Sequence, residues 1–136
     1  MTTPESFSRV RSPAALWLPP FFMMALIFIL SSSVLPRFQV PIPHPDKVAH
    51  LVVYGVLGFL LGRAAGGNWG WSWKRAALFA VVVSSIYGAS DEWHQSFIPG
   101  RSVDAVDWAA DTIGAALAQV PLYFLRARKA GVRNNR

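Results

Sequence analysis

The feature that most constrains the fold is a long uncharged stretch near the start of the chain. Residues 12–36 contain no Asp, Glu, Lys or Arg, which makes 25 consecutive uncharged positions. Because about 20 apolar residues in a helix cross the hydrocarbon of a bilayer, this stretch predicts a membrane-spanning helix. We expect it to be retained rather than cleaved as a signal peptide, because the apolar run is long and SSSVLPRF offers no small-x-small cleavage site that is followed by a soluble domain.

Three shorter uncharged stretches follow, at residues 48–62, 76–90 and 112–125. FAVVVSSIYGAS and TIGAALAQVPLYFL have no charged face of the kind that a helix in a soluble bundle presents to water. The chain therefore predicts an all-α, polytopic membrane protein with a bundle of four transmembrane helices. We place the helices at Leu16–Leu35, Lys47–Arg63, Arg75–Gln95 and Val103–Leu125, within a transmembrane domain of residues 16–125.

The distribution of basic residues predicts the orientation. One side of this topology collects ten of the 13 Lys and Arg residues, and six of the seven acids lie on or near the other. Because Lys and Arg favour cytoplasmic loops, we expect both termini, segment 1–15 and the basic tail 126–136, in the cytoplasm of a bacterial inner membrane. Topology explains the positive tail, so no nucleic-acid partner is expected. The ten basic residues are Arg9, Arg11, Arg63, Lys74, Arg75, Arg126, Arg128, Lys129, Arg133 and Arg136.

Polar residues recur at helical spacing near the outer end of three predicted helices. Positions three or four apart share a helix face, so each helix has a stripe that is polar outside and small inside. Gly58, Gly62 and Gly114 continue these stripes inward, where small residues allow close packing of membrane helices. The polar members are Lys47, His50 and Tyr54 on helix two, Glu92 and Gln95 on helix three, and Asp104, Asp107 and Asp111 on helix four.

The acids of helix four are the least expected of these residues. The 14 uncharged residues after Asp111 provide only about 21 Å of helix, so spanning about 30 Å of hydrocarbon draws Asp111 and Asp107 below the outer interface. An ionised carboxylate there costs at least a few kcal/mol unless it is paired or protonated. Both acids should therefore face the bundle interior, as a salt-bridge network that fixes helix register or as a ligand or catalytic site. The excess of acids over Lys47 and Arg101 favours a site.

Each residue type suggests a role in such a site. We predict that His50, Glu92 and Asp107 act as acid and base, or orient a ligand. Lys47 and Arg101 would hold a phosphate or carboxylate. The other ligand-binding candidates are Tyr54, Gln95, Asp104 and Asp111.

Two neighbours of these candidates are interpreted differently, and the metal question stays open. Asp46 has two interpretations, as a cap of helix two or as part of the site. His94 is left out because it lies on a different side of its helix from Glu92. A hard divalent ion on His50, Glu92 and the helix-four acids is an alternative; no cofactor is specified. The chain has no cysteine and no HExxH, GxSxG, P-loop or Cys/His zinc motif, which excludes thiol catalysis and gives no standard catalytic signature.

Taken together, DKVAHLVVYGVLGFLL and SIYGASDEWHQSFIPGRSVDAVDWAADTIGAALA resemble the VanZ-like family. The resemblance implies an integral membrane protein, in a family whose namesake is associated with low-level teicoplanin resistance, without a settled biochemical activity. Asp111 departs from the pattern, which often has Asn there. The residues that match are Asp46, Lys47, His50, Tyr54, Gly58, Glu92, Gln95, Arg101, Asp104, Asp107 and Gly114.

Three functions remain open from the sequence. The first is an outward-facing polar pocket that binds, and protects or processes, an envelope component such as a lipid-linked wall precursor or an anionic lipid head group. The second is a membrane-embedded hydrolase or transferase acting on a prenyl-phosphate bond. The third is a non-catalytic partner or small transporter in which the polar cluster is architectural.

Overall fold

The structure, a computed structural model, describes residues 12–33 and 43–134, with side chains through residue 128. Within these ranges the chain is helical without strands, which confirms the all-α prediction. Some of the predicted features lie outside the described residues. They are most of segment 1–15, the end of the first predicted helix at Val34 and Leu35, and the basic residue Arg37. The helices are α1 (Pro13–Ser31), α2 (Pro45–Asn68), α3 (Trp73–Gln95), α4 (Ala105–Leu117) and α5 (Gln119–Asn134).

The starts of three helices are specified by capping side chains. Ser12 Oγ accepts a hydrogen bond from the Ala15 amide at 3.2 Å, before α1. Ser72 caps α3 in the same way, and Asp104 caps α4 by accepting from the Val106 amide at 2.8 Å. Because the first amides of a helix have no partner inside it, these side chains fix where each helix begins.

The prediction of one continuous fourth helix is wrong. The chain breaks between α4 and α5 at Ala118 instead of running helically from Val103 to Leu125. Pro121 accounts for the break, because it has no amide proton and its ring would meet the carbonyl of Leu117 in a continuous helix. The second helix, α5, then runs on to Asn134, beyond the predicted helix end.

The helices meet at two ends of the bundle. At one end, Ser32 after α1 bonds His94 in the last turn of α3, and Lys47 in the first turn of α2 bonds Asp104 before α4. We call this the site end. At the opposite end, the ring centroids of Trp17 and Trp69 lie 4.8 Å apart. The first four helices therefore alternate in direction.

Two glycines allow α2 and α4 to pack backbone against backbone. A Cβ on Gly58 would lie 2.7 Å from Ala115 Cα, and a Cβ on Gly114 would overlap the carbonyl oxygen of Leu51. These contacts confirm the packing role predicted for the small residues. They also fix the height of the α4 carboxylates relative to the first turns of α2.

Beside an apolar core that includes Leu57 and Leu61, the bundle buries several ionisable side chains and exposes many large apolar ones. Glu92 and Asp111 are only 3% and 0% exposed, whereas Phe22 and Ile86 are 71% and 66% exposed. Extended apolar surface of this kind is rare on soluble monomers. In the described ranges, α1 and α2 are each long and apolar enough to cross a membrane.

Candidate functional site

Lys47 lies close to three carboxylates, two of which are at the start of α4. Its Nζ donates to Asp104 Oδ2 at 2.6 Å and to Asp107 Oδ1 at 2.8 Å, and Asp46 Oδ2 lies 3.6 Å away. The ammonium group holds the pKa of Asp104 below its usual value, because it bonds the ionised carboxylate directly. Asp104 also caps α4, so its hydrogen bond with Lys47 stabilises the start of that helix.

His50 lies one turn further along α2 and is held by a buried carboxylate. Its Nδ1 is 2.9 Å from Asp111 Oδ1, and the Asp111 side chain is fully buried. Asp111 packs against Gly88 of α3, where an added Cβ would lie 2.7 Å from Oδ2. The imidazole also stacks on Tyr54, with ring centroids 6.3 Å apart and planes 7° from parallel. These contacts from three helices restrict the orientation of the ring.

Glu92 connects α3 to the start of α4. Its Oε2 accepts a hydrogen bond from the Asp104 backbone amide at 2.7 Å. Its Oε1 is buried and has no hydrogen-bond partner within the described parts of the chain. Glu92 therefore lies inside the bundle with one carboxylate oxygen uncommitted.

Gln95 and Arg101 form a second chain of hydrogen bonds at the site end. Gln95 Nε2 donates to Asp91 Oδ2 at 3.0 Å, and Arg101 Nη1 donates to Gln95 Oε1 at 3.2 Å. Arg101 Nη2 donates to the carbonyl of Ser33 at 3.2 Å, which connects the loop between α3 and α4 to the end of α1. Asp91 is buried and is absent from the sequence-predicted candidates. Its spacing of four from Gln95 places both on one helix face and was the available signal.

The structure brings most of the predicted site residues close together, and it places Tyr54 and His94 elsewhere in the bundle. His50, Glu92 and Asp107 each offer one ligand atom, and the three atoms lie within 4.8 Å of one another. Tyr54 lies deeper, with a hydroxyl that lacks a hydrogen-bond partner among the residues that the structure describes. His94 instead bonds Ser32 Oγ through Nε2, on the side of α3 that faces α1.

The predicted anion-binding role of Lys47 and Arg101 stays a prediction, and the geometry does not favour it. Lys47 already has two close carboxylates, and Arg101 gives Nη1 and Nη2 to protein oxygens. All acids in the described ranges lie at the site end, where these two residues are the basic partners, so the local balance is negative. These acids are Asp46, Asp91, Glu92, Asp104, Asp107 and Asp111.

A groove of about 590 Å³ lies at the opposite end of the bundle. Arg63, Arg126, Trp71 and Tyr123 contribute to its lining, and none of its lining residues is acidic. Arg126 Nη2 also donates to the Gly62 carbonyl at 2.8 Å. This groove is separate from the ionisable cluster, so its size does not identify it as the place where acid–base chemistry occurs.

Comparison with known proteins identifies the family. No curated protein and no solved structure matches the chain. The VanZ/LLP1 family profile matches residues 5–126, which is most of the chain and includes the whole ionisable cluster. The chain therefore belongs to the VanZ/LLP1 family.

Proposed function

We propose that the protein crosses the cytoplasmic membrane several times, with both termini inside and the site end facing out. The exposed apolar surface and the buried ionisable groups support this arrangement, since exposed Phe22 and Ile86 suit lipid and Glu92 is kept away from it. The basic residues Arg63, Lys74 and Arg126 lie at the opposite end, as expected for a cytoplasmic side.

Single-cysteine labelling tests this orientation, because the native chain has no cysteine. With an impermeant maleimide applied to intact cells, we expect Ser102→Cys at the site end to react and Gly67→Cys at the opposite end to react only after permeabilisation. Both positions are exposed. Labelling of Gly67→Cys in intact cells, with protection of Ser102→Cys, would place the site in the cytoplasm.

At the site end, we propose a pocket that binds a phosphate-bearing envelope component, such as a lipid-linked wall precursor, and protects or processes it. One observation carries this proposal: buried ionisable side chains from three helices converge at one end of an apolar bundle. Intramembrane ionisable groups usually mark a functional site because keeping them there is expensive. Altered glycopeptide susceptibility would follow if the bound component were the antibiotic's target.

A membrane-embedded hydrolase or transferase acting on a prenyl-phosphate bond is the second candidate. The proximity of His50, Glu92 and Asp107 favours it, because their ligand atoms are within 4.8 Å of one another. In that reaction one of them would activate water or an acceptor hydroxyl, and another would protonate the leaving group. The competing architectural role, in which the cluster only sets helix register, predicts a different response to substitution.

The test is native mass spectrometry of the purified protein for co-purifying phosphate-containing lipid. We expect Glu92→Gln to fold with near-normal yield and to lose at least about tenfold of the bound lipid, since about 1.4 kcal/mol corresponds to tenfold in affinity. Asp46→Asn is the control, because Asp46 is a carboxylate at the same end with its side chain 61% exposed. If Glu92→Gln lowers folded yield while the remaining folded protein retains its lipid, the cluster is architectural.

A further inference from the structure

The orientation of His50 is the first indication of a more specific site. Asp111 lies 2.9 Å from Nδ1, and with an ionised carboxylate the proton of a neutral imidazole resides on that nitrogen. The Nε2 lone pair is then free. Histidines that bind metals usually donate their other ring N–H to a carboxylate or carbonyl, which fixes the tautomer and the ring plane. The fully buried Asp111 provides this kind of support.

Two carboxylates face the same space as His50. The ligand atoms of His50, Glu92 and Asp107 lie within 4.8 Å of one another. Around a metal with bonds of about 2.1 Å, tetrahedral ligand atoms are about 3.4 Å apart. Side-chain rotations that bring the atoms closer by up to about 1.4 Å would therefore close the site. Asp107 Oδ1 accepts a hydrogen bond from Lys47 Nζ, which leaves Oδ2 available to another partner.

A second, independent observation points to a ligand rather than to a cluster of acids alone. Glu92 is 3% exposed, and its Oε1 has no hydrogen-bond partner in the described ranges. Leaving a buried carboxylate oxygen without a partner is unfavourable, because the hydration that it loses on burial is not replaced. Lys47 donates to Asp104 and Asp107 and makes no hydrogen bond to this oxygen. An added cation would satisfy this oxygen and reduce the negative excess at the site end.

We propose that His50, Glu92 and Asp107 bind one divalent transition-metal ion, Mn²⁺ or Zn²⁺, with Asp111 as the positioning residue for His50. One imidazole with two carboxylates suits these ions better than Mg²⁺, which prefers oxygen ligands and retains its waters. Three protein ligands leave at least one coordination position open. This inference rests on the proposed function and extends it. A phosphate oxygen of the envelope component would bind the metal at the open position, because Lys47 is already bonded to carboxylates and is not available to hold the phosphate.

The experiment measures metal binding without added lipid. The full-length protein in detergent is stripped with a chelator and titrated with Mn²⁺, followed by electron paramagnetic resonance, with Zn²⁺ as a competitor. We expect about one ion per chain. Removing a ligand in Glu92→Gln or His50→Gln should weaken binding about 100-fold, and Asp111→Leu about 10- to 100-fold. Asp111→Asn should bind nearly as tightly as the native protein, since an amide oxygen still accepts from Nδ1.

Two variants at the site end are matched controls. Asp46→Asn removes an exposed carboxylate, and His94→Gln removes a histidine that bonds Ser32 instead of the cluster. Both should keep native affinity. Each variant is checked for folding by circular dichroism and size exclusion.

Three results would overturn the metal site. These are no stoichiometric uptake by the folded native protein, equal affinity in folded Glu92→Gln, or a loss of affinity in His94→Gln as large as in His50→Gln. If Glu92→Gln or His50→Gln does not fold, the titration of the native protein and of Asp111→Asn decides. Metal uptake with no co-purifying lipid would instead reject the proposed function and leave the metal site standing.

Discussion

Gly114→Ala is expected to cause the largest loss of folded protein of any alanine substitution at the glycines that the structure describes. The new Cβ would overlap the backbone carbonyl of Leu51, and a backbone atom cannot move aside as a side-chain end can. The α2 and α4 helices would have to move apart at this contact, at a cost of about 3 kcal/mol in the free energy of unfolding, the upper end of the usual range for overpacking. The measurement is the monodisperse yield and the thermal midpoint in mild detergent.

Gly67→Ala is the matched control for this substitution. Its Cβ would lie 3.2 Å from Leu16 Cδ1, the end of a flexible side chain. Because alanine is also the better helix former by about 1 kcal/mol, we expect stability within about 1 kcal/mol of the native protein. Equal thermal midpoints for the two alanine variants would contradict the close α2–α4 contact.

Lys47→Met should be the most destabilising substitution in the ionisable cluster. It leaves Asp104 and Asp107 facing each other without the ammonium group that bonds both, at 2.6 and 2.8 Å. Without the cation the two carboxylates repel each other with nothing to compensate their charge. Since the side chains of Lys47 and Asp104 are 25% and 38% exposed, water offsets part of this loss, and we expect a lower unfolding midpoint without loss of the fold. Unfolding by titration with a denaturing detergent measures it.

The double variant Lys47→Met/Asp107→Asn separates loss of the ion pair from loss of packing. Removing the second charge should restore part of the stability, so that the effects of the two substitutions are not additive. Additive effects of the two substitutions would show that Lys47 contributes by packing its alkyl chain and not by charge.

Helix positions were largely available from the sequence, and helix continuity was not. Uncharged stretches and turn residues predict helices that overlap α1, α2 and α3 for most of their lengths. The fourth was predicted to run through Pro121, because its uncharged pattern continues across the proline. Local backbone chemistry breaks the helix at Ala118 although the composition does not change.

Helical spacing predicted which side chains share a face but not which atoms pair. It placed His50, Glu92 and Asp111 on facing stripes, whereas the His50–Asp111 hydrogen bond depends on the depth at which α2 and α4 pack. The contacts of Gly58 and Gly114 set that depth, and they could not be predicted from the sequence because they depend on how the two helices pack. The hydrogen bond from Lys47 to Asp104 was not predicted either, because a sequence does not show whether a lysine side chain is already paired or is available to a ligand.

The structure is also compatible with an amide at position 111, which the resemblance to the VanZ-like pattern led us to expect there. Asp111 accepts from His50 Nδ1 through one oxygen, and its other oxygen packs against Gly88 with no polar partner in the described residues. An asparagine oxygen fits the first role. A full negative charge is therefore unnecessary for holding the ring, which agrees with a positioning rather than a ligating role.

The separation of acids and basic residues to opposite ends has an electrical consequence in a living cell. In the proposed orientation, the positive end lies in the cytoplasm and the acidic site end lies outside, so a membrane potential that is negative inside favours this arrangement. Each elementary charge moved across the membrane is worth about 2.3 kcal/mol per 100 mV. Turning the inserted molecule over would carry Glu92, Asp107 and Arg126 through the field and the hydrocarbon in the unfavourable direction. Dual insertion is therefore not expected, and an energised membrane should hold all copies in one orientation.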